Sequence, residues 1–250
     1  MPSTTGPSPA SDAIESAARR YHRAERAASW LVALLAVAVV LAAIDTLSLL
    51  PAAAVAVGIV AIARVPLVSR SGHTRLITDA EPTAVVAAFR SATPPILAFQ
   101  WAVADEVDPG SGVGASDDGR DSVGGSPTRA TYELSYLFGL RSVSMSLVVR
   151  SLDAANGIGS AGVDTGAATN GSDAVDTLEV SATAGGRPWG TYHVSVREAD
   201  SGTVVDAEMT TDRRFDLRSV PQALVAERYV EAVFAAQGYR VADRSVSWSV

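Results

Sequence analysis

The sequence predicts an α+β protein in which a transmembrane helical hairpin carries a domain built on an antiparallel sheet. Three observations predict it. Two uncharged apolar runs of 18 residues, Ala27–Ile44 and Thr46–Ala63, are separated only by Asp45. Beyond Ser71 apolar residues recur at every second position, the spacing of half-solvated strands. Two segments of helical spacing, one short and near the start of that region and one long and near its end, supply the α part.

Each apolar run rises about 27 Å as a helix, just short of a hydrocarbon core of about 30 Å. Val65–Val68 can lengthen the second run, with Arg64 reaching back to the headgroups. Asp45, Thr46, Ser48 and Pro51 cluster between the runs, so a hairpin is expected, with helices at about 27–44 and 48–68. Ser48 suits the second N-cap and Pro51 its first turn, where a missing N–H costs nothing. Arg19, Arg20, Arg23 and Arg26 precede the hairpin, while Arg64, Arg70 and Arg75 follow it. Arginine on both flanks and none in the turn places both termini in the cytoplasm of a two-span membrane protein. Arg19-Arg20 also opens a twin-arginine pattern, but Tyr21, His22 and Arg23 stand where an export signal turns apolar. Residues 1–26 read as a disordered, basic segment. Residues 13–26 have a second reading, a short amphipathic helix on the membrane surface with Ile14 and Tyr21 inward.

Composition narrows the function classes. The chain has 250 residues, 48% of them hydrophobic, which suffices for one or two domains and a sizeable core. Cysteine is absent, so disulfides, thiolate metal sites and thiol catalysis are excluded. All 20 basic residues are arginine. Residues 71–250 hold fourteen of them against twenty-three acids, so this region repels nucleic acid. Lysine-free, acid-rich composition suits a solvent of high salt, where self-repulsion is screened. A GC-rich genome pushes residue usage the same way. With the paired spans, these features resemble the small membrane proteins of haloarchaea, a resemblance that implies no activity.

Within the region 71–250, Tyr132, Leu134, Tyr136 and Phe138 alternate with polar residues, as do Val143, Met145, Leu147 and Val149. A two-residue turn at Gly139-Leu140 would set Tyr136 opposite Val143 and Leu134 opposite Met145. A second hairpin, turning at Ser201-Gly202, would set Val196 against Ala207, Val194 against Met209 and Arg197 against Asp206. Further strands are expected at Thr177–Ala182, Ala98–Val107 and Tyr239–Val250. Asp79–Arg90 reads as the short helix, burying Val85, Val86 and Phe89. Ser219–Gln237 reads as the long one, with a Ser219/Gln222 capping box, Pro221 in the first turn and Gly238 as the left-handed stop. Its Leu224, Val225, Tyr229, Val230, Val233 and Phe234 leave only a narrow polar stripe, so it should lie across the sheet. Stretches 108–130 and 152–175, rich in Gly, Asp and Ser, read as mobile acidic loops.

No constellation carries chemistry. Gly157, Gly159 and Gly162 spell G-x-G-x-x-G without the following helix that a dinucleotide site needs. Asp117, Asp118 and Asp121 lack calcium-loop spacing. His193 falls on the polar side of its strand without a nucleophile motif, and alternation puts most of Glu198, Asp206 and Glu208 in solvent, without the burial that acid–base work needs. Asn170-Gly171-Ser172 is a glycosylation sequon that would count only in an exported domain. No catalytic residue, cofactor or metal is expected.

The order of elements over residues 74–240, a helix after a first strand-like segment, an antiparallel sheet and a long C-terminal helix on it, resembles the START-like helix-grip fold. The strand Tyr239–Val250 departs from that pattern. The resemblance implies an apolar ligand held between sheet and helix, with Tyr132, Leu134, Tyr136, Met145, Leu147, Tyr229, Val233 and Phe234 as candidate lining residues. Two functions follow as expectations: a non-enzymatic, membrane-anchored binding or interaction module, or a helix-grip domain binding or acting on a hydrophobic small molecule near the bilayer. A packed core between the C-terminal helix and the first hairpin would favour a protein partner. An apolar cavity there would favour the small molecule.

Overall fold

In a computed structural model of the chain, residues 9–110, 127–136, 141–152, 174–200, 202–211, 214–216 and 219–249 are described. They form an α+β structure: an N-terminal helical part and a nine-stranded sheet in which every pairing is antiparallel.

Helix α1 (Pro9–Thr46) is a single helix of 38 residues, about 57 Å long. It is long and apolar enough to cross a membrane, and Trp30, Leu34 and Leu41 on its C-terminal half lie exposed. Its N-terminal half is used differently. Ile14, Ala17 and Ala18 are buried, and Ile14 and Ala17 pack with Ala98 and Val233 of the sheet domain. Residues 9–26 of the segment expected to be disordered or surface-bound are therefore helical, continuous with the apolar helix, and dock on the folded domain through Ile14 and Ala17; residues 1–8 lie outside the described set.

Helix α2 (Leu49–Arg64) has 16 residues, apolar up to its closing Arg64, and stops four short of the expected Val68. Pro66 is the reason: it drives Val65 out of helical geometry, to φ −70° and ψ 124°. Ser48 does occupy the N-cap, but its hydroxyl makes no capping bond.

Strand β1 (Pro66–Thr78) then runs directly out of α2. The sequence does not announce it, because Arg70, Gly72 and Thr74 interrupt the inward-facing positions between Val68 and Leu76. Helix α3 (Pro82–Phe89) buries Val85, Val86 and Phe89 as expected. The strand expected at Ala98–Val107 is not formed. Pro94-Pro95 instead starts a 3-10 turn (Pro95–Leu97) that runs into α4 (Ala98–Trp101), and the Trp101 indole N–H donates to the Pro94 carbonyl at 2.9 Å. Only β2 (Glu106–Asp108) is extended.

The remaining strands are β3 (Thr128–Tyr136), β4 (Arg141–Leu152), β5 (Ala174–Ala184), β6 (Arg187–Ala199), β7 (Gly202–Thr210) and the short β8 (Phe215–Asp216). Helix α5 (Ser219–Ala236) ends at Gly238, whose φ of +84° suits the left-handed stop, and β9 (Arg240–Ser249) returns beside β1. The sheet order is β2-β3-β4-β5-β6-β7-β1-β8, with β9 also on β1. Gly185 and Gly186, both at positive φ, make the two-residue turn between β5 and β6.

Both expected hairpins keep their faces but not their registers. Leu134 pairs with Val143 and Tyr132 with Met145, while Val196 pairs with Val205 and Val194 with Ala207. Each hairpin centre lies one residue earlier than expected, which slides the pairing by two. A slide of two leaves every side chain on its own face. Thus Leu147, Leu178, Val180, Val194 and Val205 still form the core, with Val230 and Phe234 of α5 packed on them. The expected turn at Gly139-Leu140, the capping side chains of Ser219, Pro221 and Gln222, the glycines 157, 159 and 162, the aspartates 117, 118 and 121, and the sequon lie outside the described residues.

On the solvated face Asp206 gathers three side chains from neighbouring strands. Its Oδ1 accepts from Arg75 Nε at 2.6 Å and lies 3.2 Å from His73 Nε2, and its Oδ2 lies 3.4 Å from Arg197. Burial alone would raise this carboxyl, but the Arg75 hydrogen bond and the charges of Arg75 and Arg197 outweigh burial and hold it below the usual value. A depressed carboxyl stabilises the fold above its unfolded value and loses that contribution as pH falls through the folded one. Asp206→Asn should therefore cost about 1 kcal/mol at neutral pH, a figure reduced by the solvent around Arg75. Thermal midpoints measured against pH should also fall less steeply below about pH 4 in the variant than in the parent.

Candidate functional site

The other face of the sheet does not close completely on the helices. Between the N-terminal half of α1, the α4 turn, α5 and strands β1, β4, β6 and β9 lies a cavity of about 310 Å³. Phe99, Leu134, Met145, Trp189, Val233 and Phe234 give it a mostly apolar wall. Tyr21 of α1 stacks near Phe99 and Tyr229, with ring centroids 4.6 and 6.3 Å apart, and so holds α1 over one side.

Strand register brings charge into this apolar setting. Arg70 and Thr74 share the inward face of β1 with Leu76, while Arg244 shares that of β9 with Val246 and Trp248. Thr74 stands opposite Arg244, and Arg244 Nη1 donates to its hydroxyl at 2.5 Å. On α5, Glu227 lies three and seven residues before Val230 and Phe234, one helical face. It accepts from Arg244 Nε at 2.7 Å and Nη2 at 2.9 Å, and from Arg70 Nη2. The Arg70 guanidinium also lies over the Trp248 ring, 5.4 Å from its centroid. Two guanidiniums thus share one carboxylate. Both line the cavity, and Glu227 does not.

Two buried side-chain atoms among the described residues lack a hydrogen-bond partner, Arg70 Nε and Gln100 Oε1, and both residues line this cavity. Buried polar atoms are normally satisfied, so these two stand out among the lining residues. Tyr192 lines the same space, and burial pushes its phenol up to about 12, with Arg70 and Arg244 pulling it down and Glu227 up. It is a neutral hydroxyl at physiological pH. On the α1 side His22 and Glu25 line the cavity, the imidazole Nδ1 lying 3.0 Å from the carboxylate and Nε2 lying 3.2 Å from the Phe99 carbonyl.

Of the expected lining residues, the structure brings Leu134, Met145, Val233 and Phe234 to the cavity. Tyr132 and Leu147 lie in the packed core instead. The Tyr132 hydroxyl donates to the Ala92 carbonyl at 2.6 Å, and burial raises its phenol well above the usual value. Tyr229 packs beside Tyr21 rather than lining the space. Tyr136 is placed by its backbone, opposite Arg141, and its side chain lies outside the described set. Arg70, Gln100, Tyr192 and Arg244 were missed. Arg244 had a usable signal, a charge two residues before Val246 on an otherwise apolar strand face. Glu227 had another, an acid interrupting the apolar stripe of α5.

His193 is exposed, between Glu179 and Glu208 of the flanking strands, and no group of three or more potential metal ligands comes together among the described residues. No protein-family model and no curated protein matches the chain.

Proposed function

We propose that the chain is a membrane-anchored, non-enzymatic binding protein whose sheet domain takes an apolar small molecule in the cavity between α5 and the β3–β4 hairpin. The cavity carries this reading. An apolar space of about 310 Å³ falls within the range of small-ligand sites, at the lower end. A packed core between those elements would have left a protein partner as the better reading. The element order, with α3 and α4 after β1 and α5 after β7, supports the helix-grip likeness and its ligand placement. Composition supports a halophilic archaeal setting.

In this reading α1 and α2 cross the bilayer as a hairpin, and the domain hangs on the cytoplasmic side. The exposed apolar side chains of α2, among them Leu49, Leu50 and Val57, support lipid contact. Arginines 19, 20, 23 and 26 before one span and Arg64 after the other support the orientation. Arg70 stands six extended residues past Arg64, about 20 Å, so the cavity lies close beneath the membrane surface. Single cysteines replacing Thr46 and Ser144, both exposed, test the topology. A membrane-impermeant thiol reagent applied to intact cells should label the first and spare the second; labelling of Ser144→Cys alone would turn the molecule over.

Binding is tested on the full chain in phosphatidylcholine nanodiscs with the neutral fluorophore 1-aminoanthracene, against empty nanodiscs. Ala226 lines the cavity from α5, and Ala226→Trp fills it. The variant should lose at least tenfold in fluorophore affinity while keeping its thermal midpoint within a few degrees. Equal binding by parent and variant would remove the cavity from the account.

A further inference from the structure

We propose that the cavity selects a single-chain amphiphile with one anionic headgroup, a carboxylate or a phosphate, which Arg70 binds beside the Arg244–Glu227 pair. The proposal rests on the small-molecule reading above and adds to it the charge and the size of the ligand.

Charge comes from the division of labour between the two arginines. Arg244 is fully occupied, with Nε and Nη2 on Glu227 and Nη1 on Thr74. Arg70 is not: Nη2 meets Glu227, its face meets Trp248, and Nε is buried without a partner. One carboxylate cannot neutralise two guanidiniums, and that carboxylate sits behind the wall that the arginines line. Glu25, the acid on the opposite side, is engaged by His22. The lining therefore carries surplus positive charge beside a mostly apolar space. Away from bulk water such a charge attracts an anion more strongly than an exposed arginine does. A guanidinium also matches the planar or tetrahedral oxygens of carboxylate and phosphate better than a neutral acceptor. The Tyr192 hydroxyl, which feels the same three charges, is a second donor for those oxygens.

Size comes from the cavity itself. Its volume suits one short chain, not the two chains of an intact membrane lipid. Phe99, Met145, Trp189 and Phe234 line the apolar part and would receive the tail.

The test compares decanoate, decyl phosphate and 1-decanol by equilibrium dialysis against the full chain in phosphatidylcholine nanodiscs, with empty nanodiscs as the blank. At least one anion should bind tenfold or more tightly than the alcohol. Preference for decanoate assigns a free acid, and preference for decyl phosphate a lipid-derived phosphate. Arg70→Gln should erase the preference, so that the two anions and decanol bind alike. Glu227→Gln, which frees both guanidiniums, should tighten anion binding severalfold, an effect opposite to that of a merely structural loss. If decanol binds as well as both anions, or if Arg70→Gln leaves the preference intact, the charge assignment is wrong while small-molecule binding stands. If neither the three ligands nor 1-aminoanthracene binds above the blank, both readings fall together.

Discussion

Phe89→Ala should cost about 3–5 kcal/mol, the largest loss expected from any single change described here. Phe89 closes α3 and is completely buried. Its ring meets Tyr239 edge-on at a centroid distance of 6.2 Å, and Tyr239 in turn meets Phe234 at 6.5 Å. The three rings join α3, α5 and the start of β9 across the core. Alanine removes the first ring and leaves a hole that two rigid neighbours on separate elements cannot fill. Phe89→Leu keeps most of the volume and should cost no more than about 1.5 kcal/mol. Urea unfolding of the full chain, read by midpoint, separates the two; equal midpoints would mean that α3 contributes little to the core.

Glu227→Ala should cost about 2–3 kcal/mol, although it removes almost no apolar contact. Breaking a fully buried ion pair by deleting one partner costs about 3–5 kcal/mol, because the remaining charge is left desolvated and unpaired. Here two charges are left. The side chains of Arg70, Glu227 and Arg244 keep 19%, 28% and 23% of their exposure, so water reduces the penalty without removing it. Glu227→Gln should cost less, since its amide oxygen still accepts from a guanidinium. Added decanoate should recover part of the loss in the alanine variant, because an anion beside Arg70 takes over the missing charge. Thermal midpoints with and without decanoate measure both effects. A Glu227→Ala protein as stable as its parent would show that the arginines are solvated and face no closed cavity.

Periodicity was the most legible part of the fold. Alternation identified the inward faces of β3, β4, β6 and β7 correctly, and it did so although both hairpin centres were misplaced by one residue. Sheet faces repeat every two positions, so that error cancels for burial and remains only in the register. Where alternation was broken, the reading failed. Strand β1 carries Arg70 and Gly72 inward, and these look like the flank of a membrane span, not the edge of a cavity. The segment Ala98–Val107 has strand-like residues, but Pro94-Pro95 sets backbone angles that start a helical turn. The extent of α1 was hidden for another reason. Nothing local separates an amphipathic surface helix from the first half of one long helix, and the choice is made by tertiary contacts with Ala98, Phe99 and Val233. The site followed the same rule. Apolar lining residues were legible from the faces of β3, β4 and α5, whereas the charged ones sit where two strands distant in sequence, β1 and β9, are brought side by side.

The central claim is that ligand enters the space between α5 and the sheet, and does not merely dissolve in the bilayer. A decanol analogue bearing a diazirine, activated by light on the full chain in nanodiscs and mapped by peptide mass spectrometry, tests this most directly. The account predicts adducts on the peptides that hold Leu134, Met145 and Phe234, and their loss in Ala226→Trp. Adducts confined to the apolar stretch Trp30–Ile44, unchanged by that substitution, would contradict it.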